Sequence, residues 1–207
     1  MSAISALKGY RTQFLYSLHY ILSNQEKNFF YRLEGEEDLD ILNEEGNLLI
    51  AIQVKNLNRT VIPSDLVNNT RTSFLRRYVD RYPSSLPRLV SFGPISSEVK
   101  SIREKGGLKV KAVVASSFTQ AQWQLIKEKI EFVEVNEQSL IDEILSSLSN
   151  YKHIAPIPTA ENLLYWLQVS AEKQVTISSR DVFNKIESIA IYLSERIDTE
   201  SISGLCI

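Results

Sequence analysis

Four side chains in this sequence have the types and spacing for phosphate chemistry: Asp38, Asp40, Gln53 and Lys55. Carboxylate and amide oxygens are ligands for a hard cation such as Mg²⁺, with Mn²⁺ as a substitute. Such a cation can acidify a bound water and neutralise a phosphate during an in-line displacement. A lysine beside it can orient the water or stabilise developing negative charge. All four are therefore candidate catalytic residues, and Asp38, Asp40 and Gln53 are the candidate metal ligands.

The elements that must position these residues are two strands of one hairpin. Residues 38–42 (DLDIL) and 48–55 (LLIAIQVK) have strand character, and residues 43–47 (NEEGN) have turn chemistry. Side chains alternate across a strand, so the apolar set of the second strand can enter a core while Gln53 and Lys55 point to the opposite face. With a two-residue loop at 45–46, Asp38 stands opposite Gln53 and Asp40 is diagonal to it. The ordinary alternative is a surface hairpin with a solvated acidic face.

The pattern Asp40…Gln53-Val54-Lys55 resembles the PD-(D/E)xK nuclease superfamily in its QxK variant, including Mrr-type restriction endonucleases. The wider stretch LEGEEDLDIL…AIQVKN is similar to double-strand DNA endonuclease effectors of bacterial antiphage systems. The motif covers residues 34–56, and it departs from the acidic pattern because Gln53 stands where many relatives have Glu. An amide gives an oxygen but no charge, so Asp38 or Glu34 would have to compensate.

The resemblance implies a Mg²⁺-dependent DNA endonuclease with little sequence specificity, acting in antiviral defence. It also implies a homo-oligomer, or a fusion to a sensor or ATPase domain. Two alternatives stay open: a non-catalytic adaptor or oligomerisation module that kept the fold, and a nuclease that acts on RNA.

The expected fold class is α/β, with a restriction-endonuclease-like α-β-β-β-α-β core. Periodicity predicts this order from a first helix, a strand at 29–33, the hairpin, a helix from Ser64 to about Tyr82, and a strand from residue 86. Further strand–helix units follow, among them a strand at 109–116. Residues 1–149 would form the nuclease domain, 150–159 a linker and 160–207 a C-terminal helical pair.

The helix predicted after the hairpin is rich in arginine. Arg71, Arg76, Arg77 and Arg81 form the best candidate group for contact with the DNA backbone. For each arginine taken singly, an exposed helix face with an acidic partner such as Asp80 is the more ordinary interpretation. Gln13, on the first helix, reads as a surface glutamine that could only approximate an acidic metal ligand.

Composition limits the other possibilities. The chain has 207 residues, 43% of them hydrophobic and 23% charged, which suits one globular domain with a small appendage. No apolar run is long enough for a membrane span, and no signal peptide is recognisable, so a cytoplasmic protein is expected. One cysteine, Cys206, excludes an internal disulfide and a cysteine-based zinc site. The net charge of −2 gives no global attraction for nucleic acid, so a local basic face would have to hold it.

Overall fold

The computed structural model describes residues 3–25, 27–67, 72–105, 118–152 and 154–190. Arg71, the strand predicted at 109–116 and the C-terminal tail lie outside these ranges. None of the helices within them has the length and apolar character needed to cross a membrane.

Helices and strands alternate along most of the described chain. The helices are α1 (Ala3–Leu22), α2 (Phe74–Arg81), α3 (Ser97–Lys105), α4 (Gln120–Lys129), α5 (Glu137–Ser149), α6 (Pro156–Glu172) and α7 (179–190). The strands are β1 (Phe30–Leu33), β2 (Leu39–Leu42), β3 (Leu48–Lys55), β4 (Leu86–Ser91), β5 (Glu131–Glu134) and β6 (Thr176–Ser178). The predicted α/β class is confirmed.

The six strands form one mixed sheet in the order β5-β4-β3-β2-β1-β6. β1, β2 and β3 are antiparallel neighbours, and β6 is antiparallel to β1. β4 and β5 extend the sheet in parallel from β3. The α-β-β-β-α-β order read from periodicity is present from α1 through β4.

Hydrophobic side chains cover both faces of the sheet. One core cluster joins α1 to α5, α6 and α7 over one face and includes Ile52 of β3. The second joins α2, α3 and α4 over the other face and includes Ala51. Because neighbouring residues of β3 alternate between these clusters, Gln53 lies on the Ala51 side, which faces α2. The apolar and polar faces of β3 are therefore those that the sequence predicted.

Three elements differ from the sequence-based expectation. The helix predicted from Ser64 to Tyr82 is instead a 3₁₀ turn at Pro63–Asp65 and a shorter α2, which starts at Phe74. α6 starts at Pro156, inside the predicted linker, since proline fits the first turn of a helix. Residues 176–178, within the stretch predicted as a C-terminal helical pair, form the short strand β6 and pair with β1. The domain division at 150–159 stays a prediction, and α6 and α7 pack on the same core as α1.

Candidate functional site

The hairpin register brings Asp38 and Gln53 together. Leu39 pairs with Ile52 and Asp40 with Ala51, which places Asp38 opposite Gln53 at the start of β2. The Gln53 Nε2 donates a hydrogen bond to Asp38 Oδ2, and the Val54 backbone N–H donates to the same oxygen at 2.5 Å. The sequence predicted this juxtaposition, although the register shifts by one residue at the turn itself.

The Gln53 amide is turned with its nitrogen toward Asp38. Arg77 Nη2 donates to Gln53 Oε1 at 3.0 Å. A guanidinium has only donors, so the amide oxygen must face Arg77 and the amide NH₂ must face the carboxylate. In this arrangement the Gln53 carbonyl oxygen faces Arg77 and not the space beside Asp38, and its role as a metal ligand stays a prediction.

Asp40 is fully buried and its carboxylate is occupied. Arg32 donates to Asp40 Oδ2 from Nη2 at 2.7 Å and from Nε at 3.2 Å. The backbone N–H groups of Glu36 and Glu37 donate to its two oxygens at 2.8 and 3.2 Å. Three of these bonds end on Oδ2 and one on Oδ1, so the carboxylate holds the loop before β2 in place. The role of Asp40 as a catalytic residue and metal ligand stays a prediction.

The loop that covers Asp40 needs a residue without a side chain. A Cβ at Gly35 would collide with Asp40 Oδ2 and with Arg32 Nε. Glu34, just before it, has a φ of 54°, a left-handed conformation that is uncommon for a residue with a side chain. The backbone therefore wraps closely around the Asp40 carboxylate.

Gln13 fastens α1 to this loop. It is 6% exposed, and its Nε2 donates to Glu34 Oε1 and to the Asp38 backbone oxygen, both at 3.0 Å. The expectation of a surface glutamine is wrong, because the residue is buried where α1 crosses the start of β2. Glu34 and Asp38 are consequently held next to each other.

A buried ion pair connects the loop to α2. Arg77 donates to both carboxylate oxygens of Glu37, with Nε at 2.7 Å from Oε1, and the Tyr82 hydroxyl also donates to Oε1. The Glu37 side chain is 1% exposed and that of Arg77 19%. Burial and the negative charge of Glu37 raise the pKa of Tyr82. We call the chain of contacts Tyr82–Glu37–Arg77–Gln53–Asp38 the Glu37 network.

The arginines predicted to contact DNA have protein partners. Arg77 belongs to the Glu37 network and is not directed outward. Arg76 lies 3.8 Å from Asp80 and places its guanidinium 4.5 Å from the centre of the Phe118 ring. Arg81 lies 3.3 Å from Glu36. Arg71 lies outside the described residues, so its part in DNA contact stays a prediction.

Lys55 occupies the end of β3, on the same face as Gln53 by strand alternation. Its side chain is half-buried and forms no ion pair with any described carboxylate. Its charge helps to lower the pKa of Asp65, after the larger effects of the Arg59 and backbone hydrogen bonds. The role of Lys55 in catalysis stays a prediction.

Asp38 is the carboxyl with the most unusual acidity in this region. Burial raises its pKa to about 6, the nearby charges of Glu34 and Glu37 add to the rise, and the hydrogen bonds from Val54 and Gln53 oppose it. At neutral pH the group is mostly ionised but can accept a proton under mildly acidic conditions. Titratable groups perturbed in this way concentrate at functional sites, although structural networks produce them as well.

The donor set does not form a ready Mg²⁺ site. Asp40 and the Gln53 oxygen are both engaged elsewhere, which leaves Asp38 and Glu34 as the nearby carboxylates. Within the described residues no group of three or more His, Cys, Asp or Glu side chains is placed to hold a metal ion. Gln53 and Val54 both donate to Oδ2 of Asp38, and the role of Asp38 as a metal ligand stays a prediction.

Comparisons with known proteins identify the fold through solved structures. No family model and no curated protein matches the sequence. The structure resembles an Acinetobacter baumannii Cap4 SAVED/CARF-domain receptor with the cyclic trinucleotide 3′3′3′-cAAA, with a TM-score of 0.55 and 13% identity over 84% of this chain. It also resembles the Moraxella osloensis Cap4 SAVED/CARF-domain receptor, with a TM-score of 0.51 and 17% identity over 85% of this chain. This chain covers 43% and 47% of those receptors, less than half of each.

These matches correct the family and the function expected from the hairpin motif. The solved structures that share the fold are SAVED/CARF-domain receptors, and the assignment to the PD-(D/E)xK nucleases, Mrr-type enzymes included, is wrong. The DNA endonuclease function drawn from that assignment is wrong with it. At this level of identity the likeness establishes the fold alone.

Proposed function

We propose that this chain is one module of a receptor that responds to cyclic oligonucleotides in antiphage defence. The observation that carries the proposal is the fold shared with Cap4 SAVED/CARF-domain receptors, one of which has been solved with two different cyclic trinucleotides. The match extends over 84% of this chain, so most of the sheet and its helices take part in it. A chain that covers less than half of those receptors would act together with further domains, as a fused or assembled sensor.

The arrangement around Asp38 agrees better with a rigid support than with a preformed reaction centre. Asp38, Gln53 and Arg77 are joined by hydrogen bonds, and Asp40 is bound by Arg32 and by the loop before β2. Such a network fixes the start of β2 against α2 and α1, which would help a module keep one conformation or transmit a change between its two faces. Mg²⁺-dependent phosphodiesterase activity stays a separate prediction, which a metal titration can test.

The direct test is calorimetric titration of the purified chain with 3′3′3′-cAAA, with linear triadenylate as the matched control. The two molecules carry the same bases, while the ring removes conformational freedom that a linear ligand must lose on binding. We expect saturable binding of the cyclic ligand and weaker binding of the linear one. Absence of binding by the cyclic ligand would contradict a receptor role. Equal affinities for the two ligands that fall together as salt is raised would contradict it as well, because they indicate simple attraction of charge.

Self-association is a further part of this proposal. Light scattering on the eluting protein, with and without the cyclic ligand, measures it. A change in mass on ligand addition would place the chain in a ligand-controlled assembly.

A further inference from the structure

Helix α6 has one side that packs on the core and one side that is exposed. Ile157, Glu161 and Tyr165 follow one another at intervals of four residues, so they lie on the same side of the helix. Ile157 is 60% exposed and Tyr165 is 69% exposed, the highest values among the large hydrophobic side chains of the described residues. The other side of α6 carries Leu163 and Leu167, which are buried in the main core. We call the exposed side, from Ile157 to Tyr165, the α6 face.

The charge of this helix is negative. α6 contains two carboxylates, Glu161 and Glu172, and no lysine or arginine. Neither carboxylate forms an ion pair with a cation of the described residues. Exposed apolar side chains beside carboxylates without a counter-charge favour a partner surface that is both apolar and basic.

The same chain carries a surface of that kind at the start of α7. Phe183 is 43% exposed, and its ring centroid lies 6.2 Å from that of the half-buried Tyr151. Lys152 follows Tyr151 directly, and Arg180 lies one turn before Phe183. Lys152 and Arg180 are exposed, and neither forms an ion pair with a carboxylate of the described residues. We call these four residues the α7 surface.

The carboxylates near the α7 surface are held away from its two cations by other contacts. Asp181 Oδ2 accepts from the Ser178 backbone N–H at 2.8 Å and from the Ser178 hydroxyl at 2.7 Å. Glu44 lines a cleft together with Arg180, but Lys152 and Phe183 are not part of that lining. Since the α6 face and the α7 surface are both exposed on one chain, another molecule would have to cover each of them.

We propose that the α6 face of one copy of this chain docks on the α7 surface of a second copy. Tyr165 would pack against the Phe183 ring of the other copy. Glu161 would meet Lys152 or Arg180 across the contact. Because the two surfaces differ, the contact is heterologous, and each copy in a pair keeps one surface open for a further copy until a ring closes or a filament grows. The proposal rests on the self-association proposed above and names the surfaces that produce it.

The test uses two variants that each break one surface, with sedimentation velocity as the measurement. Glu161→Gln/Tyr165→Ala breaks the α6 face, and Lys152→Ala/Phe183→Ala breaks the α7 surface. Each variant alone should have its dissociation constant for self-association raised at least about tenfold, because aromatic anchors contribute most to such contacts. An equimolar mixture of the two should form pairs and nothing larger, since it keeps one kind of intact contact. Ile62→Ala is the matched control: Ile62 is 42% exposed outside both surfaces, and this variant should associate like wild type.

The outcomes separate this proposal from the receptor function. If wild type stays a single chain at high concentration, with and without 3′3′3′-cAAA, the docking proposal is overturned, while the calorimetric titration decides the receptor function independently. If the variant with the broken α7 surface associates like wild type, or if the mixture forms no pairs, the heterologous contact is overturned. Association that weakens as salt is raised, together with pairs in the mixture, supports it. Thermal melts of each variant confirm that losses of association do not come from unfolding.

Discussion

Replacement of Glu37 by glutamine tests whether the buried ion pair holds α2 to the loop before β2. The Glu37 side chain is 1% exposed, and it accepts two bonds from Arg77 and one from Tyr82. Glu37→Gln keeps the volume but leaves the guanidinium of Arg77 largely buried without a counter-charge. Breaking one side of a buried pair costs about 3–5 kcal/mol, so we expect the free energy of unfolding to fall by an amount of that order.

A double-mutant cycle separates this pair from general packing. Arg77→Met keeps an apolar stem against the sheet but removes the charge. The double variant Glu37→Gln/Arg77→Met should lose less than the sum of the two single variants, with a coupling of about 1–3 kcal/mol. The measurement is urea unfolding followed by circular dichroism and tryptophan fluorescence, with coincident transitions as the check on two-state behaviour.

The exposed pair of Glu36 and Arg81 is the matched control on the same loop and helix. Their side chains are 36% and 60% exposed and lie 3.3 Å apart, so Glu36→Gln should cost no more than about 1 kcal/mol. If Glu37→Gln destabilises the protein no more than Glu36→Gln, the Glu37 network does not stabilise the fold and the reasoning above is refuted.

Three further predictions concern the hairpin and its loop. The folded pKa of Asp38, about 6, is above the ordinary value of 3.8, so the stability that this group contributes is present below pH 3.8 and lost as the pH rises through 6. The free energy of unfolding of wild type, measured in urea, should therefore fall by up to about 3 kcal/mol between pH 4 and 7 relative to that of Asp38→Asn. The same dependence on pH in both proteins would contradict this. Gly35→Ala should lower the free energy of unfolding by about 1–3 kcal/mol, because the new Cβ would collide with the buried Asp40. Gly46→Ala is the control, since the space there is open but φ is +80°, and a smaller loss in Gly35→Ala than in Gly46→Ala would argue against this reasoning. If the chain is a Mg²⁺-dependent phosphodiesterase, hydrolysis of bis(p-nitrophenyl) phosphate should require Mg²⁺ and be lost in folded Lys55→Ala, and activity independent of either would exclude this site.

The hairpin could be predicted because its signals are local. Alternation in residues 48–55 fixes which side chains enter the core, and one wrong step of register would place Ile52 on the polar face. The position of Asp38 opposite Gln53 follows from that constraint, even though the turn contains an irregularity. The order of helices and strands up to β4 rests on the same kind of periodicity.

The chemistry around the hairpin could not be predicted because its partners are distant in sequence. Arg77 is 40 residues from Glu37 and 24 from Gln53, and nothing in the local pattern shows that it turns inward and orients the amide. Asp40 is taken by Arg32 and by two backbone N–H groups of a loop that has no periodicity. A short motif therefore placed the right residues on the right strands without fixing what their polar atoms contact.

The likeness to the Cap4 structures and the short strand β6 were missed for related reasons. A motif of a few residues carries little information about the whole fold, whereas the structural match extends over 84% of the chain. β6 has three residues, too few for alternation to be recognised, and it forms only by pairing with β1.

Amide hydrogen exchange with and without 3′3′3′-cAAA tests most directly whether this chain is a ligand-responsive receptor module. Bound ligand should slow exchange over part of the described chain, while the start of β2 keeps its protection because the Glu37 network is already closed. Superimposable exchange profiles at a large excess of the cyclic ligand, under conditions where the protein is folded, would contradict the account.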